Sequence, residues 1–551
     1  MSLYLGLDSS TQSLTAIVLE VDRAATRVVY EHSFSFDEAL PEYGTRHGVL
    51  TAIRGPAHAG RYESGAGVAI SSPLLWADAL DLMLARIAAS GLDLSRLAAI
   101  AGSAQQHGSV YLNASAEPVL GRLNPDSAPS PQLAGCLSRA VSPIWMDAST
   151  SRECEEITEG VGGALALAER TGSRAFERFT GPQIRKFFKQ QPDAYAATDR
   201  VHLVSSFLAS LLAGRHAPID PGDGSGMNLM DLATTSWWLP AVDATAPGLA
   251  AKLPDLAPSW TIAGTLSPYW QARHHLPPAR VVAWSGDNPC SLVGTGLVRE
   301  GVAAISLGTS DTSFSLMREP RVDRTFTGHV FGAPTGDFMG LTVFANGSIA
   351  RERVRDQFGL TWSGFSEALA ATPPGNDGRM MLPWFDPEIT PLVLAPGVRR
   401  FGLAADAGPA HVRAIVEAQM MALALHSQWM QVAVTTIHAT GGASANRDIL
   451  RVMADVFGAE VCQFEVGNSA CLGAALRARH ADAVARGERL TWDEVVAGVI
   501  EPMISLRLPP NRDNHALYET LMRVYAAREA EALSNAECGL RNADCGVRNA
   551  D

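Results

Sequence analysis

The sequence predicts an α/β protein of two domains, each opening on a strand–turn–strand hairpin. Three observations carry this reading. A short apolar strand, a polar turn rich in hydroxyls and a second strand occupy residues 3–19. The same pattern returns near residue 300. Between and after the two hairpins, buried apolar strands alternate with stretches whose apolar residues recur at helical spacing, as in mixed α/β folds.

In chain order, residues 3–7, 14–19 and 28–34 read as a three-strand meander, being apolar, β-branched and aromatic between turn residues. Residues 78–87 read as a helix, and 98–101 as a buried strand running into Gly102-Ser103-Ala104-Gln105-Gln106-His107-Gly108. Residues 198–213 read as a helix, and the strand 281–284 ends at Ser285-Gly286-Asp287-Asn288. The second hairpin pairs strands 302–307 and 312–316 around Gly308-Thr309-Ser310-Asp311. A long buried helix over 412–434, a strand over 435–439, a helix from Asn446, a strand over 461–466 and a helix over 470–480 complete the alternation. The domains expected are 1–297 and 298–530, with a hinge at 297–301. Residues 531–551 hold a seven-residue near-repeat, poor in large apolar side chains, and read as a flexible tail.

Composition narrows the function. Of 551 residues, 47% are apolar and 18% charged, enough apolar mass for large cores, so wholesale disorder is excluded. A net charge of −13 argues against nucleic acid or an anionic membrane as partner. An anionic ligand would have to be held locally, by backbone NH groups, a metal ion or a few cations. The first eight residues lack the basic and long apolar regions of a signal peptide, and the most apolar helical stretch, 203–213, is about half a membrane span. A cytoplasmic protein is expected. The seven cysteines are odd in number and scattered without a Cys-x-x-Cys pair, so Cys136, Cys154, Cys290, Cys462 and Cys471 read as reduced thiols.

Four turns could carry chemistry. Asp8-Ser9-Ser10-Thr11-Gln12-Ser13 places a carboxylate and hydroxyls in a tight turn, which can hold magnesium and phosphate oxygens or simply cap a hairpin. Gly308-Thr309-Ser310-Asp311-Thr312 offers close backbone approach and hydroxyl donors. Gly286-Asp287-Asn288 follows an apolar strand, at the sheet edge where α/β folds place ligands. There Asp287 could take a proton from a substrate hydroxyl, or serve as a helix N-cap before Pro289. Thr440-Gly441-Gly442-Ala443-Ser444-Ala445-Asn446 could accommodate an adenine or ribose face, or be a plain strand–helix turn. Gln105-Gln106-His107 could bond sugar hydroxyls. Asp220 and Asp223, flanking glycines, read as turn formers, and Trp237 and Trp238 as packing residues. No Gly-x-x-x-x-Gly-Lys-[Ser/Thr] occurs, which excludes a P-loop.

Together these segments resemble the FGGY family of carbohydrate kinases, and within it the vertebrate-type subgroup acting on D-xylulose. Asp8-x-x-Thr11 is similar to the family's first phosphate motif, Gly286-Asp287-Asn288 to its catalytic-aspartate motif, Gly308-Thr309-Ser310 to its second phosphate motif, and Gly441-Gly442-Ala443 to its adenosine motif. Longer stretches that carry the resemblance include Trp145-Met146-Asp147-Ala148-Ser149-Thr150, Glu177-Arg178-Phe179-Thr180-Gly181 and Asp223-Gly224-Ser225-Gly226-Met227-Asn228-Leu229. The likeness spans about residues 3–480.

The resemblance implies two ribonuclease-H-like domains around a deep cleft, ATP and Mg2+, and a ketopentose phosphorylated at its 5-hydroxyl. It implies Asp287 as general base, Asp8 as a magnesium ligand, and His107, Arg178, Asp287 and Asn288 as sugar ligands. Thr11, Gly308, Thr309, Ser310, Trp362, Gly441, Gly442, Ala443 and Asn446 would lie about the nucleotide. A homodimer is admitted, and no nucleic acid or membrane partner is expected. Other FGGY activities, on ribulose, gluconate or glycerol, stay open, as does a non-catalytic sugar sensor. Asp311 departs from most of the family by placing a carboxylate beside the phosphate turn.

Overall fold

The computed structural model describes residues 1–22, 25–51, 65–465 and 467–547, of which 502 and 536–547 are described in backbone alone. Two seven-stranded sheets carry the architecture. The first contains β1 (Ser2–Ser9), β2 (Ser13–Val21), β3 (Thr26–Ser35), β4 (Leu97–Ala104), β5 (Ile262–Thr265), β6 (Arg280–Val282) and β7 (Ser285–Gly286). Its order is β5-β6-β4-β1-β2-β3, with β7 continuing beside β4. The second contains β8 (Val302–Leu307), β9 (Asp311–Met317), β10 (His329–Gly332), β11 (Phe338–Phe344), β12 (Thr436–Thr440), β13 (Glu460–Phe464) and β14 (Ile504–Leu508). Its order is β10-β11-β9-β8-β12-β13-β14.

The two sheets repeat one topology. In each, a hairpin strand is antiparallel to its successor and parallel to a later strand on its other side, as β1 is to β2 and β4, and β8 to β9 and β12. In each, the far edge is closed by an antiparallel strand, β5 or β14. The hairpin repeat visible in the sequence is therefore the start of a repeat of whole sheets, each of the ribonuclease-H-like kind.

Between the sheets cross two helices, α3 (Asp287–Gly294) and α5 (Ser469–Ala485). A Cβ on Gly294 would strike the Ser469 carbonyl, and one on Gly473 the Cys290 carbonyl, so glycines let the two backbones touch. Helix α5 follows β13 of the second sheet, yet Cys471, Leu472, Ala475 and Leu476 pack with Tyr4, Ile17, Ala99 and Val282 of the first. Conversely Leu292 of α3 packs with Val302, Ala304 and Leu316 of the second. The outer faces are covered by α1 (Pro73–Ala88) and α2 (Val204–Ala213) on the first sheet and by α4 (Gly408–His426) on the second.

Several sequence expectations are corrected. Residues Thr198–Leu203 form a strand paired antiparallel with Ser109–Asn113, and only Val204–Ala213 is helical. That pairing with a distant segment sets the backbone of 198–203, whereas the apolar stretch that follows is the helix. The helix expected to reach 434 ends at His426, followed by a short 3-10 turn Gln428–Met430. The helix Arg512–Val547 runs across the boundary expected at 530, and Ala532 is buried in the second core. The repeat's last residues, 548–551, lie outside the described residues. Cys136, Cys154, Cys290, Cys462 and Cys471 are free and buried. Among the described residues no helix is long and apolar enough to cross a membrane.

Candidate active site

The parallel strands β1, β4 and β7 end together. Asp8 lies opposite Ser103, and Ser285 and Gly286 lie opposite Ser103 and Ala104 from the other side. The register thus sets Asp8 and Asp287 on either flank of β4, at the carboxyl edge where open α/β sheets bind ligands. Asp287 is the first residue of α3, with Gly286 in the cap position, so it is not the N-cap. Its Oδ1 accepts from the Asn288 NH at 2.8 Å and from Asn288 Nδ2 at 3.2 Å. Burial, then the nearby Asp8 charge, pushes the Asp287 carboxyl up to about 7. Asp8 accepts from Ser103 Oγ at 2.6 Å, and burial raises it to about 6. Among the described residues no cation pairs with Asp8.

The loop after β4 continues the site. Asn288 Nδ2 donates to Gln106 Oε1 at 2.8 Å, and Gln106 Nε2 donates to the Gly222 carbonyl at 3.3 Å. His107 has a left-handed φ of 72° and is buried. Its Nδ1 lies 2.9 Å from the Gly226 carbonyl, which can only accept, so the proton is on Nδ1 and Nε2 is left as an acceptor. Burial, aided by the Arg178 charge, holds His107 neutral down to about 3. A side chain on Gly226 would meet His107 Nδ1 at 2.9 Å, so the ring position requires glycine there. Arg178 stands beside this ring with no ion-pair partner among the described residues; its Nη2 donates to His329 Nε2 at 3.0 Å. Asp287, Asn288, His107 and Arg178, far apart in sequence, are thus brought to one sheet edge.

The second cluster lies on the second sheet. Parallel pairing sets Ser306 opposite Thr440, so the turn Gly308-Thr309-Ser310 and the turn Gly441-Gly442-Ala443 leave adjacent strands. Gly441 has a φ of 84°, and a Cβ there would meet the Leu307 carbonyl at 2.7 Å, whereas Gly442 faces open space. A cleft of about 570 Å³ opens beside them, lined by Ser348, Trp362, Gly442, Ala443 and Asn446 among others. Trp362 is 44% exposed at the start of the helix Trp362–Ala371, with the Arg355 guanidinium 4.5 Å over its ring. Asn446 caps the helix Arg447–Phe457 through Oδ1 and donates from Nδ2 to Ser366 Oγ at 2.6 Å.

Asp311 does not face this cleft openly. It is buried in a bidentate pair with Arg351, at 2.8 and 3.0 Å, and Arg351 also donates to Gln419 Oε1 and Ser348 Oγ. Gln419 in turn donates to the Asn346 and Gly347 carbonyls, and the Ser348 NH donates to the Gly308 carbonyl. The Asp311 carboxylate is thus a brace behind the turn Gly308-Thr309-Ser310.

Residues 135–294 and 303–481 match the N-terminal and C-terminal domains of the FGGY family of carbohydrate kinases. The chain belongs to the FGGY family. This FGGY chain is a carbohydrate kinase by that membership. Xylulose kinase of Rattus norvegicus is 42% identical over 545 residues, 97% of each chain, and xylulose kinase 2 of Arabidopsis thaliana is 41% identical over 501 residues, 87% of each. In fold, the FGGY chain is similar to xylulose kinase from Rhodospirillum rubrum (TM-score 0.78, 20% identity, 97% and 100% of the two chains). It is also similar to gluconate kinase from Lactobacillus acidophilus (TM-score 0.77, 16% identity, 96% and 98%).

Sequence reasoning missed several members of the site. Asp220 and Asp223 were expected as turn formers; Asp220 does cap a short helix, but both are buried, and Asp220 accepts from Ser259 Oγ and lies 3.8 Å from the buried Arg477 of α5. Trp145 donates its indole NH to Thr11 Oγ1 at 2.7 Å. Ser103, His329 and Arg477 carry no local pattern; only the tertiary fold brings them to the site.

Proposed function

We propose that the protein transfers the γ-phosphoryl group of ATP to the 5-hydroxyl of D-xylulose. The observation that carries this reading is Asp287, a carboxylate raised to about 7 at the carboxyl edge of the first sheet, ringed by the sugar-directed groups of Asn288, His107 and Arg178. A base titrating near neutrality suits proton removal from an alcohol. Asp287 takes the hydroxyl proton as the new O–P bond forms; the bond from phosphorus to the β–γ bridging oxygen breaks, and ADP leaves. Neutral His107 offers Nε2 to a sugar hydroxyl, and Arg178 and Asn288 supply donors that fix the ring-opened ketose. The identity to xylulose kinases across nearly the whole chain supports the ketopentose over other acceptors.

In the second lobe, Trp362, Ala443 and Asn446 take the adenosine, and Gly441 shapes the turn behind it. Gly308, Thr309 and Ser310, with Thr11 opposite, offer NH groups and hydroxyls to the phosphates. Asp8 fits a magnesium ligand: it is a largely buried carboxylate with one hydroxyl donor, and Mg2+ commonly takes only one or two protein carboxylates beside phosphate and water. When bound, Mg2+ neutralises charge on the phosphate oxygens.

A coupled assay of ADP release over D-xylulose, ribulose, gluconate and glycerol tests the reading. The highest kcat/KM is expected on D-xylulose. A clear preference for another acceptor would overturn the substrate, and ADP release on none would favour a sugar sensor.

A further inference from the structure

We propose that His329, which the chain places in the second domain, is a positioning residue of the sugar site, holding the Arg178 guanidinium toward the substrate. Strand β10 is the edge of the second sheet, yet it is docked onto the first lobe. The Val330 NH donates to the Gly172 carbonyl and the Gly332 NH to Ser225 Oγ, both at 3.0 Å. A Cβ on Gly332 would meet the Pro221 carbonyl at 2.6 Å, so the backbones approach closely. Alternate residues of a strand share a face. His329 and Phe331 accordingly point together into an aromatic cluster with Phe176, Phe179 and His107 of the first lobe.

The hydrogen bonding assigns the tautomer. A guanidinium only donates, so the 3.0 Å contact from Arg178 Nη2 makes His329 Nε2 the acceptor. The ring proton is then on Nδ1 and is donated to Ser173 Oγ at 3.0 Å. Ser173 is anchored in turn, its carbonyl accepting from Asn228 Nδ2 at 3.0 Å. This neutral imidazole is the only hydrogen-bond acceptor that the described residues give the Arg178 side chain. It spends one of five donors, fixes the plane of the guanidinium, and leaves the charge unneutralised for a ligand. A carboxylate in its place would pair with Arg178 and compete with sugar oxygens. Phe176 and Phe179 flank the same guanidinium, with ring centroids 5.2 and 5.8 Å away.

The inference rests on the reading of Arg178 as a sugar ligand, and the test separates the two. His329→Phe keeps the ring packing and removes the acceptor; His329→Gln keeps an acceptor of similar reach. His329→Phe is expected to raise KM for D-xylulose about tenfold, the scale of one charge-assisted hydrogen bond, with KM for ATP within about twofold. His329→Gln is expected to recover most of that loss. In an Arg178→Ala background, His329→Phe is expected to cost nothing further. Equal rises in both KM values, no rescue by glutamine, or full additivity with Arg178→Ala would overturn the positioning role. An unchanged sugar KM in Arg178→Ala would instead overturn Arg178 as a ligand, and this inference with it. A raised sugar KM in Arg178→Ala with an unchanged one in His329→Phe would overturn this inference alone.

Discussion

Asp8 at the end of β1 and Asp287 directly after β7 flank a single strand, β4, and the charge of Asp8 helps keep the Asp287 carboxyl near pH 7. The ionised form of Asp287 is the one that accepts a proton. The kcat/KM for sugar should therefore rise with pH along a limb near 7. Removing the Asp8 charge with Asp8→Asn should move that limb to lower pH, besides raising the Mg2+ requirement. A limb that stays in place in this variant would disconnect the two carboxyls.

The same pair bears on stability. Both folded-state values, about 6 and about 7, lie above the roughly 3.9 of an unfolded aspartate. The folded protein therefore binds these protons more tightly than the unfolded chain, and their contribution is full below about pH 4 and lost as pH rises through 6 to 7. In the ligand-free protein, Asp287→Asn should flatten the fall of the thermal midpoint between pH 5 and 8. An unaltered slope would mean that other groups govern it.

Asp287→Ala should lower kcat by about 10²–10⁴-fold, the usual contribution of a general base. The KM for D-xylulose should change far less, because Asn288, His107 and Arg178 remain. Steady-state kinetics on folded protein check this, and a turnover near that of the parent would remove Asp287 from the role.

His107→Ala should raise KM for sugar more than for ATP, since the ring stands on the first sheet's edge and not in the cleft lined by Trp362 and Asn446. Gly226→Ala should act in the same direction, because the added methyl displaces the ring that it would meet at 2.9 Å. Equal effects on both substrates would make His107 a packing residue.

Arg351→Met leaves Asp311 buried and unpaired, and should cost about 3–5 kcal/mol of stability. Adding Asp311→Leu should return a large part of it, because the uncompensated charge is then gone. Chemical denaturation measures both. In the Arg351 variant, KM for ATP should rise, since the brace behind Gly308 is lost.

Closure of the lobes about the hinge at 297–301 is expected to bring the two clusters together. Small-angle scattering should show compaction when D-xylulose and an ATP analogue are both bound. No change in radius of gyration would argue for a cleft already closed.

Local chemistry made much of this molecule legible in the sequence. Short apolar runs bounded by hydroxyl turns mark β1, β2, β8 and β9, and the residues at their ends, Asp8 and Gly308, needed no tertiary knowledge to single out. Asp287 was visible as a carboxylate following an apolar strand. Its partners were less so. The run from Thr198 was misread because strand pairing with Ser109–Asn113, a distant segment, outweighed its helical look.

Which distant groups share a space is settled by folding alone. Local patterns alone specify two hairpin-led α/β domains, acidic overall, with candidate phosphate turns and a candidate base. That Asp311 points inward to Arg351, that Asp8 tunes Asp287 across β4, and that β10 of the second sheet lends His329 to Arg178 follow from register and docking. These relations join residues tens to hundreds of positions apart. Local propensity acts over a few residues, whereas burial and the need to satisfy every buried charge and donor act across the whole fold.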